Sequence, residues 1–229
     1  MSRWFKIQHL KSQIQSAIPK RLGMIAVIFG LGCFFLLYNY QMRSHYDPSF
    51  AVKQPPLVMQ GGDPYIRALM RTISASEANQ DRPYSLLYGG QHFSDFSHHP
   101  EMCVRIVNGP NKNNCSTAAG RYQLINTTWS ELAPRYHPQP KWMMLWTAYS
   151  FEPEYQDKVV YAWLNDPQAW GVDISQLLHQ GKISQVLKRL SGTWTSLGYG
   201  IETNSVSGRL PKIYQKMLQE ELAMVRSGN

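Results

Sequence analysis

The sequence predicts a mostly α-helical α+β domain that is preceded by one membrane-spanning helix. Two observations predict the domain. Several segments place apolar residues at helical spacing, and residues 84 to 93 are strand-like around a Gly-Gly turn. An uncharged apolar segment near the N-terminus predicts the membrane helix. The chain has 229 residues, 43% of them hydrophobic, which is enough for one domain of about 150 residues and a further segment.

Residues 22 to 40 are predicted to form a membrane anchor. The segment from Leu22 to Tyr38 contains no charged residue and is close to the lower length limit for a helix that crosses a bilayer. The tail of residues 1 to 21 carries basic residues and no acidic one, so the positive-inside rule places it in the cytoplasm and the later residues outside. A cleaved signal peptide is the alternative, but no small-x-small site follows the apolar segment.

The net charge of +8 does not predict a nucleic-acid-binding protein. Five of the basic residues belong to the N-terminal tail, whereas 18 basic and 15 acidic residues follow residue 38. No basic stripe interleaved with aromatic residues occurs in that later part of the sequence, and an external domain would not meet nucleic acid. We therefore exclude nucleic acid as a partner.

Residues 41 to 62 contain three prolines and a Gly-Gly pair, which predicts a linker between the anchor and a domain of residues 63 to 226. The first helix of this domain is expected to begin at the Asp63-Pro64 pair. An apolar stripe follows the helical period and ends on a carboxylate; its members are Ile66, Met70, Ile73 and Glu77.

Glu77 therefore projects from the face that this helix otherwise buries. Partial burial disfavours the ionised form of a carboxyl group and raises its pKa, as a general acid working near neutral pH requires. An ordinary solvated residue at a helix end is the alternative interpretation.

Further helices are predicted after the strand-like region. Asn126 or Thr127 can cap the first of them. The remaining predicted helices span residues 154 to 164, 174 to 178, 183 to 190 and 210 to 222.

Cys103 and Cys115 are both external and twelve positions apart. In an oxidising compartment we expect a disulfide between them, with two free thiols as the alternative. The adjacent His98 and His99 do not match a tetrahedral zinc pattern, so neither a metal nor a cofactor is predicted.

Two specific motifs occur in the predicted external domain. Residues 89 to 100 have the pattern Gly-Gly-x-x-Phe-x-Asp-x-Ser-x-His-Pro, and residues 116 to 124 contain Ala-Gly-Arg-Tyr-Gln-Leu. Together with Ser76-Glu77, Gln156-Asp157 and residues 194 to 200, they resemble the bacteriophage lambda endolysin family from about residue 65 to residue 222. The chain departs from that pattern beside the predicted cleft, for example with Ala78-Asn79 in place of Gly-Thr, but Glu77 is retained.

The resemblance implies a lysozyme-like fold, with a small β element beside the active-site cleft, and a lytic transglycosylase. Such an enzyme cuts the β-1,4 bond between N-acetylmuramic acid and N-acetylglucosamine in peptidoglycan and leaves a 1,6-anhydromuramic end. By position, Glu77 matches the single catalytic glutamate of the family. The candidate substrate-binding residues are Ser76, Asp95, Tyr122, Gln123, Trp194 and Tyr199. The predicted partners are peptidoglycan strands and the inner membrane, with the domain on the periplasmic or cell-wall side.

The scarcity of carboxylates in the specific motifs agrees with this chemistry. A hydrolase normally needs two carboxylates around the scissile bond, and Asp95 is the only acid in the two motifs. A transglycosylase needs one, because the muramyl C6 hydroxyl is the nucleophile. Two alternatives remain open, namely a water-using muramidase with Asp95 as base, and a glycan-binding scaffold without activity. For Tyr122, Gln123, Trp194 and Tyr199, structural packing is the alternative to sugar contact.

Overall fold

The computed structural model describes residues 54–109, 111–139, 148–199 and 206–228. The predicted tail and membrane anchor lie outside these residues. Among the residues described, no helix is both long and apolar enough to cross a bilayer.

The described part of the chain is mostly helical with one small antiparallel sheet, as the sequence predicts. Its helices are α1 (Pro64–Glu77), α2 (Asn126–Tyr136), α3 (Pro153–Leu164), α4 (Pro167–Trp170), α5 (Ile174–His179), α6 (Ile183–Leu190) and α7 (Leu210–Ser227). The sheet pairs β1 (Val104–Arg105) with β2 (Cys115–Ser116). Short 3₁₀ turns occur at Pro83–Ser85 and Ser207–Arg209.

Helix α1 begins and ends where the sequence predicts. Asp63 caps it by accepting a hydrogen bond from the Tyr65 backbone N–H at 2.9 Å, and Pro64 occupies the first turn. Ile66, Met70 and Ile73 are fully buried, so the apolar stripe forms the core face of the helix. The helix therefore lies at the centre of the domain and carries its last residue out of that core.

Helix α1 packs mainly against α7, and a buried ion cluster joins them. The Glu221 carboxylate accepts hydrogen bonds from Arg67 Nε at 2.6 Å and from Arg71 Nη1 at 3.2 Å. Arg71 also donates to Glu220 Oε2 at 2.5 Å. Because Arg71 and Glu221 are almost fully buried, loss of one partner would leave an uncompensated charge in the core.

The predicted hairpin at residues 84 to 93 is only partly present. Its two sides meet at a single bridge between Leu86 and His92, while Leu87 pairs instead with Ala119. Leu86 and Leu87 are both buried, so this stretch lacks the alternation that a two-sided hairpin strand needs. The regular ladder of the domain is β1–β2, which the sequence analysis did not predict.

A disulfide joins Cys103 to Cys115 beside this ladder, with 5.3 Å between the Cα atoms. Arg105 pairs with Cys115 and Val104 with Ser116 in antiparallel register. The bond therefore closes the exposed hairpin at the point where its strands pair.

The cap of α2 differs from the prediction. Asn126 is the first residue of the helix, and Ile125 occupies the cap position without a side-chain hydrogen bond. The backbone N–H of Asn126 donates instead to the Thr117 hydroxyl at 3.1 Å. A residue nine positions earlier in the chain thus satisfies this end of the helix.

The last part of the predicted linker packs against the domain. Gln54, Leu57 and Met59 are buried, and the Gln54 side chain donates to the Ala78 carbonyl at 3.2 Å. Residues 54 to 59 of the predicted linker are therefore part of the folded domain.

Candidate active site

Glu77 is the last residue of α1 and is partly exposed. The turn that ends the helix is closed by a hydrogen bond from the Ala78 backbone N–H to the Ser74 carbonyl at 2.7 Å. Because Ile73, one turn earlier, is fully buried, the helix emerges from the core within its final turn. The end of α1 therefore places a carboxylate at the boundary between the core and solvent.

Three serine hydroxyls form a connected hydrogen-bonding group at this end of α1. Ser196 Oγ donates a hydrogen bond to Glu77 Oε1. Ser76 Oγ lies 2.8 Å from Ser196 Oγ and 3.0 Å from the Ser196 carbonyl oxygen. Ser207 Oγ donates to the same carbonyl at 2.6 Å. Ser76, a predicted substrate-binding residue, thus contacts the segment that holds Glu77.

Ser196 and Ser207 were not singled out from the sequence. Ser196 lies in the family-like stretch of residues 194 to 200, but nothing in that stretch indicated which carboxylate its hydroxyl would reach. Serine is common in turns for other reasons, so residue type gave no signal.

Trp194 is in the core rather than at the surface. Its side chain is 3% exposed, and its ring centroid lies 5.4 Å from that of Trp163 and 6.3 Å from that of Trp170. Its indole N–H donates to the Tyr122 carbonyl at 2.9 Å. The predicted stacking of Trp194 on a sugar is therefore not supported by this structure, because neighbouring aromatic rings occupy its surroundings.

Tyr122 is also buried, with 1% of its surface exposed. Its hydroxyl donates to Asp157 Oδ1 at 2.6 Å, and burial raises the pKa of Tyr122 well above its ordinary value. Tyr122 therefore has an internal contact with α3, and its ring is not accessible for the sugar contact that the sequence suggested.

Gln123 is half-buried and adopts a left-handed backbone conformation, with φ of 46°. Its side-chain amide donates to the Gly120 carbonyl at 2.9 Å and to the Leu86 carbonyl at 3.3 Å. These bonds brace the 120–123 turn from within. Among the residues predicted in this motif, Gln123 is more exposed than Tyr122 and Arg121.

Gly120 is required by the same turn. Its φ is +75°, and a Cβ atom there would lie 2.3 Å from Gln156 Oε1. That oxygen accepts a hydrogen bond from the Arg121 backbone N–H at 2.9 Å. The motif glycine therefore allows α3 to approach the turn closely enough to bond it.

Asp157, next to Gln156 on α3, is the centre of a buried polar network. Its Oδ2 atom accepts hydrogen bonds from the backbone N–H groups of Val58 at 2.8 Å and Met59 at 3.1 Å, and from Tyr84 Oη at 2.7 Å. Its Oδ1 atom accepts the Tyr122 bond. Burial raises the pKa of Asp157 from its ordinary value.

Arg121 joins this network through the Tyr84 hydroxyl. Its guanidinium donates to the carbonyls of Pro55 at 2.7 Å and Pro56 at 3.1 Å, and to Tyr84 Oη at 3.0 Å. Arg121 is fully buried, so these groups replace water around its charge. Arg121 and Asp157 thus hold residues 54 to 59 against the domain.

Asp95 lies on an exposed loop. Its Oδ1 atom accepts a hydrogen bond from the Ser97 backbone N–H at 2.9 Å, and hydrogen bonding to Ser97 lowers the pKa of Asp95. A carboxylate with a lowered pKa is a weaker base. The geometry therefore gives Asp95 the role of a loop cap.

Tyr199 is 48% exposed. It lines an open cavity of about 390 Å³ together with Leu197, Gly198, Ser207 and Pro211, among others. Its ring is accessible, in contrast to that of Trp194.

His99 has a structural role. Its Nε2 atom lies 2.9 Å from the Leu124 carbonyl, and its Nδ1 atom accepts the Glu101 backbone N–H at 3.1 Å. Burial lowers the pKa of His99, which favours the neutral ring. Within the described ranges, no three potential metal ligands come together as a cluster.

Comparison with known proteins decides the family. A family model described as Endolysin matches residues 67–220, which is most of the described domain and includes Glu77 and Ser196. The chain belongs to the endolysin family. The match also includes the Gly120–Gln123 turn and Asp157, whereas Val58 and Met59, which bond Asp157, precede the matched residues.

Two known proteins are similar to this endolysin-family chain. The Endolysin of Escherichia phage lambda is 28% identical over 132 residues, which cover 56% of this chain and 72% of the relative. The solved structure of bacteriophage lambda lysozyme complexed with a chitohexasaccharide is 26% identical, with a TM-score of 0.51. It covers 69% of this chain and 97% of the lambda lysozyme chain. These matches support a lysozyme-like α+β fold and a peptidoglycan-degrading enzyme of the lysozyme type.

Proposed function

We propose that this protein is a peptidoglycan lytic transglycosylase in which Glu77 acts first as general acid and then as general base. One observation carries the proposal. Within the domain that matches the endolysin family, the central helix delivers Glu77 to the edge of the core, where the Ser196 hydroxyl holds its carboxylate. Partial exposure lets the carboxyl group reach a polymer, and a fixed orientation suits proton transfer.

The proposed reaction consumes no water. Protonated Glu77 gives its proton to the oxygen that links the muramic acid C1 atom to the neighbouring N-acetylglucosamine, and the C1–O bond breaks. The C6 hydroxyl oxygen of the same muramic acid bonds to C1, and its proton returns to Glu77. The product is a 1,6-anhydro ring, and the enzyme recovers its starting protonation state. The nucleophile is intramolecular, so its effective concentration exceeds that of water.

The roles of other carboxylates support a mechanism with one acid. Asp95 caps a loop and has a lowered pKa, which makes it a poor base for activating water. Other acidic residues are engaged in helix caps, ion pairs or the buried network; they are Asp63, Glu154, Asp157, Asp166, Asp173, Glu220 and Glu221. A water-using muramidase would need one of the remaining carboxylates close to the scissile bond.

The substrate contacts of this proposal are narrower than the sequence suggested. Gln123 and Tyr199 keep side-chain surface at the domain exterior and remain candidates for sugar binding. The lambda lysozyme relative was solved with a chitohexasaccharide, which supports recognition of an N-acetylated sugar chain by this fold.

We also propose that residues 22 to 40 anchor the enzyme in the inner membrane, with its domain on the periplasmic or cell-wall side. The support is the uncharged segment and its basic N-terminal flank. Extraction from membranes by detergent but not by carbonate is the expected behaviour. Release of the intact chain by carbonate would contradict anchoring.

The reaction is tested with the purified full chain and peptidoglycan sacculi, followed by mass spectrometry of the released muropeptides. We expect products whose muramic ends are one water lighter than hydrated ends. The Glu77→Gln variant should lower the rate by about 10²–10⁴-fold, the usual contribution of a general acid or base.

The matched control is Glu131→Gln, a carboxylate-to-amide change at an exposed position on α2. It should act like the unaltered protein. Muramic ends that carry an added water would reject the transglycosylase reaction and support the water-using muramidase. Equal product formation by the Glu77→Gln variant would reject Glu77 as the acid, and absence of product with retained glycan binding would favour the scaffold.

A further inference from the structure

We propose that Ser196 is a positioning residue for Glu77, and that Ser76 and Ser207 hold Ser196 in place. This proposal rests on the proposed function, since it gives Glu77 the proton-transfer role. Its basis is a direct contact, because Ser196 Oγ donates to Glu77 Oε1 across 119 positions of sequence.

The hydroxyl protons of these serines fit one direction of donation. Ser207 donates to the Ser196 carbonyl at 2.6 Å, and Ser76 can donate to that carbonyl or to Ser196 Oγ. Each hydroxyl has a single proton. The proton of Ser196 is therefore the one that faces Glu77, and the carboxylate is its acceptor.

The backbone around Ser196 is fixed from two sides. The indole of Trp194 donates to the Tyr122 carbonyl at 2.9 Å, and the Leu197 N–H bonds the Trp194 carbonyl at 3.1 Å. The indole bond ties the turn to residues 120 to 123 of the second motif, and the Leu197 bond closes the turn itself. Trp194 thus affects the site through the position of Ser196, although its own ring is buried.

The second side is closed by Ser207. Gly198 has φ of +95°, and a Cβ atom there would lie 3.1 Å from Ser207 Cβ. The absence of a side chain at Gly198 lets Ser207 approach near enough to bond the Ser196 carbonyl. Two local features therefore place one hydroxyl against one carboxylate oxygen.

The chemical consequence concerns the orientation of the Glu77 carboxylate. A glutamate side chain has several rotatable bonds, so an unsupported carboxylate would sample many directions. The Ser196 bond holds the Oε1 atom of Glu77 against the turn and so restricts the directions that the carboxylate can take. A residue that delivers a proton to one substrate oxygen and takes one from another benefits from holding the same orientation during both transfers.

Another serine of the fold provides a structural contrast. Ser191 Oγ donates to the Lys188 carbonyl at 2.8 Å, which closes the end of α6. Its acceptor is a backbone group of its own helix, whereas the acceptor of Ser196 is the proposed acid. Both side chains are serines in the same region of the chain, so they form a matched pair for mutation.

The test measures initial rates of the full chain on soluble peptidoglycan glycan strands. For Ser196→Ala we expect kcat to fall about tenfold to hundredfold with KM changed less than about twofold, because the lost bond is to a charged group and acts on the transition state. Ser196→Thr keeps the hydroxyl and should recover most of kcat. Ser191→Ala should have the kcat of the unaltered protein.

Several results would overturn the proposal. An unchanged kcat in Ser196→Ala would do so, and so would a Ser196→Thr variant as impaired as Ser196→Ala, since donation would then not be the cause. A rise in KM alone would indicate substrate contact instead. If Ser196→Ala fails to fold, Ser76→Ala serves in its place, because it leaves Ser196 and Glu77 intact. Lowered kcat at unchanged KM would then support positioning, and unchanged kcat would reject it.

Failure of this proposal can be told apart from failure of the proposed function. If the unaltered protein yields hydrated muramic ends, the transglycosylase reaction is wrong, yet a kcat effect of Ser196→Ala would still show that Ser196 positions the acid. If anhydro ends form and Ser196→Ala has no effect, only the positioning role is rejected.

Discussion

Asp157 and Glu77 are two carboxylates of one domain with opposite surroundings. Asp157 is fully buried and accepts four hydrogen bonds, from the backbones of Val58 and Met59 and from the hydroxyls of Tyr84 and Tyr122. Glu77 is partly exposed at a helix end and is held by a serine hydroxyl.

The difference shows how burial separates structural from chemical roles. A carboxylate whose acceptor positions are all occupied by internal donors is fixed in one position and cannot reach a substrate. Its hydrogen bonds instead stabilise the contact between segments of the chain. A carboxylate at the edge of the core is oriented by the protein and still accessible. Asp157 belongs to one of the stretches that carry the family resemblance, and its four internal hydrogen bonds give it a structural role.

The largest expected effect tests directly whether Asp157 and Glu77 differ in their contribution to stability. Asp157→Ala should lower the free energy of unfolding by about 3–5 kcal/mol, because it leaves the Val58 and Met59 N–H groups and the two tyrosine hydroxyls without their acceptor. Glu77→Ala should change it by less than about 1 kcal/mol, as expected for a partly exposed residue. Urea unfolding of the full chain in mild detergent, followed by tryptophan fluorescence, measures both. Equal losses would show that Glu77 is as structural as Asp157.

A smaller effect is expected at Gly120, which carries the motif turn next to the Asp157 network. Gly120→Ala combines positive-φ strain with a contact 2.3 Å from Gln156, and should cost about 2–4 kcal/mol of unfolding free energy. Gly181→Ala is the control, since Gly181 has nearly the same φ, +74°, but an added Cβ atom there would have no atom within 4 Å. We expect it to cost only about 1–2 kcal/mol, the strain alone. Similar melting temperatures for the two variants would remove the close approach of Gln156 as a cause.

The smallest effect concerns pH and sharpens the contrast between buried and exposed ionisable groups. Burial in the folded protein lowers the pKa of His99 below its ordinary value of 6.5. Below about pH 6.5 the unfolded chain therefore binds more protons than the folded protein. Stability should therefore be fully present above about pH 6.5 and decline as the pH falls through the folded pKa, by at most about 1.4 kcal/mol per pH unit for this residue.

Unfolding measured between about pH 7 and pH 5 should show a shallower decline in His99→Gln. His98→Gln is the neighbouring control, because His98 is exposed. His137 is also buried, and burial lowers its pKa, so it should retain its own share of the decline in both variants. An identical slope in His99→Gln and the unaltered protein would contradict the assignment.

Local sequence signals predicted the elements that depend on neighbouring residues. The start and end of α1, the bounds of α6 and the position of Glu77 follow from capping residues and helical spacing. The 84–93 hairpin was only partly right, because Leu86 and Leu87 are both buried and the second pairs with Ala119. Pairing between distant strands depends on which faces become buried, and residue type alone does not fix that.

The site residues divide in the same way. Aromatic and motif residues such as Tyr122 and Trp194 could equally stack on a sugar or fill the core, and sequence spacing does not distinguish these roles. Packing decided both of them, since the ring of Trp194 lies near other indoles and the Tyr122 hydroxyl bonds Asp157.

By itself, the sequence determined the mostly helical α+β class, the family resemblance and the candidate acid Glu77, because periodicity, caps and motifs are written in short stretches of chain. Only the tertiary structure decided what holds that acid. The hydroxyl of Ser196 reaches Glu77 because α1 and the turn after α6 are brought together by the fold, and Asp157 joins residues 58 and 59 to α3 for the same reason. Contacts across such separations arise from the packing of elements, which no local pattern specifies.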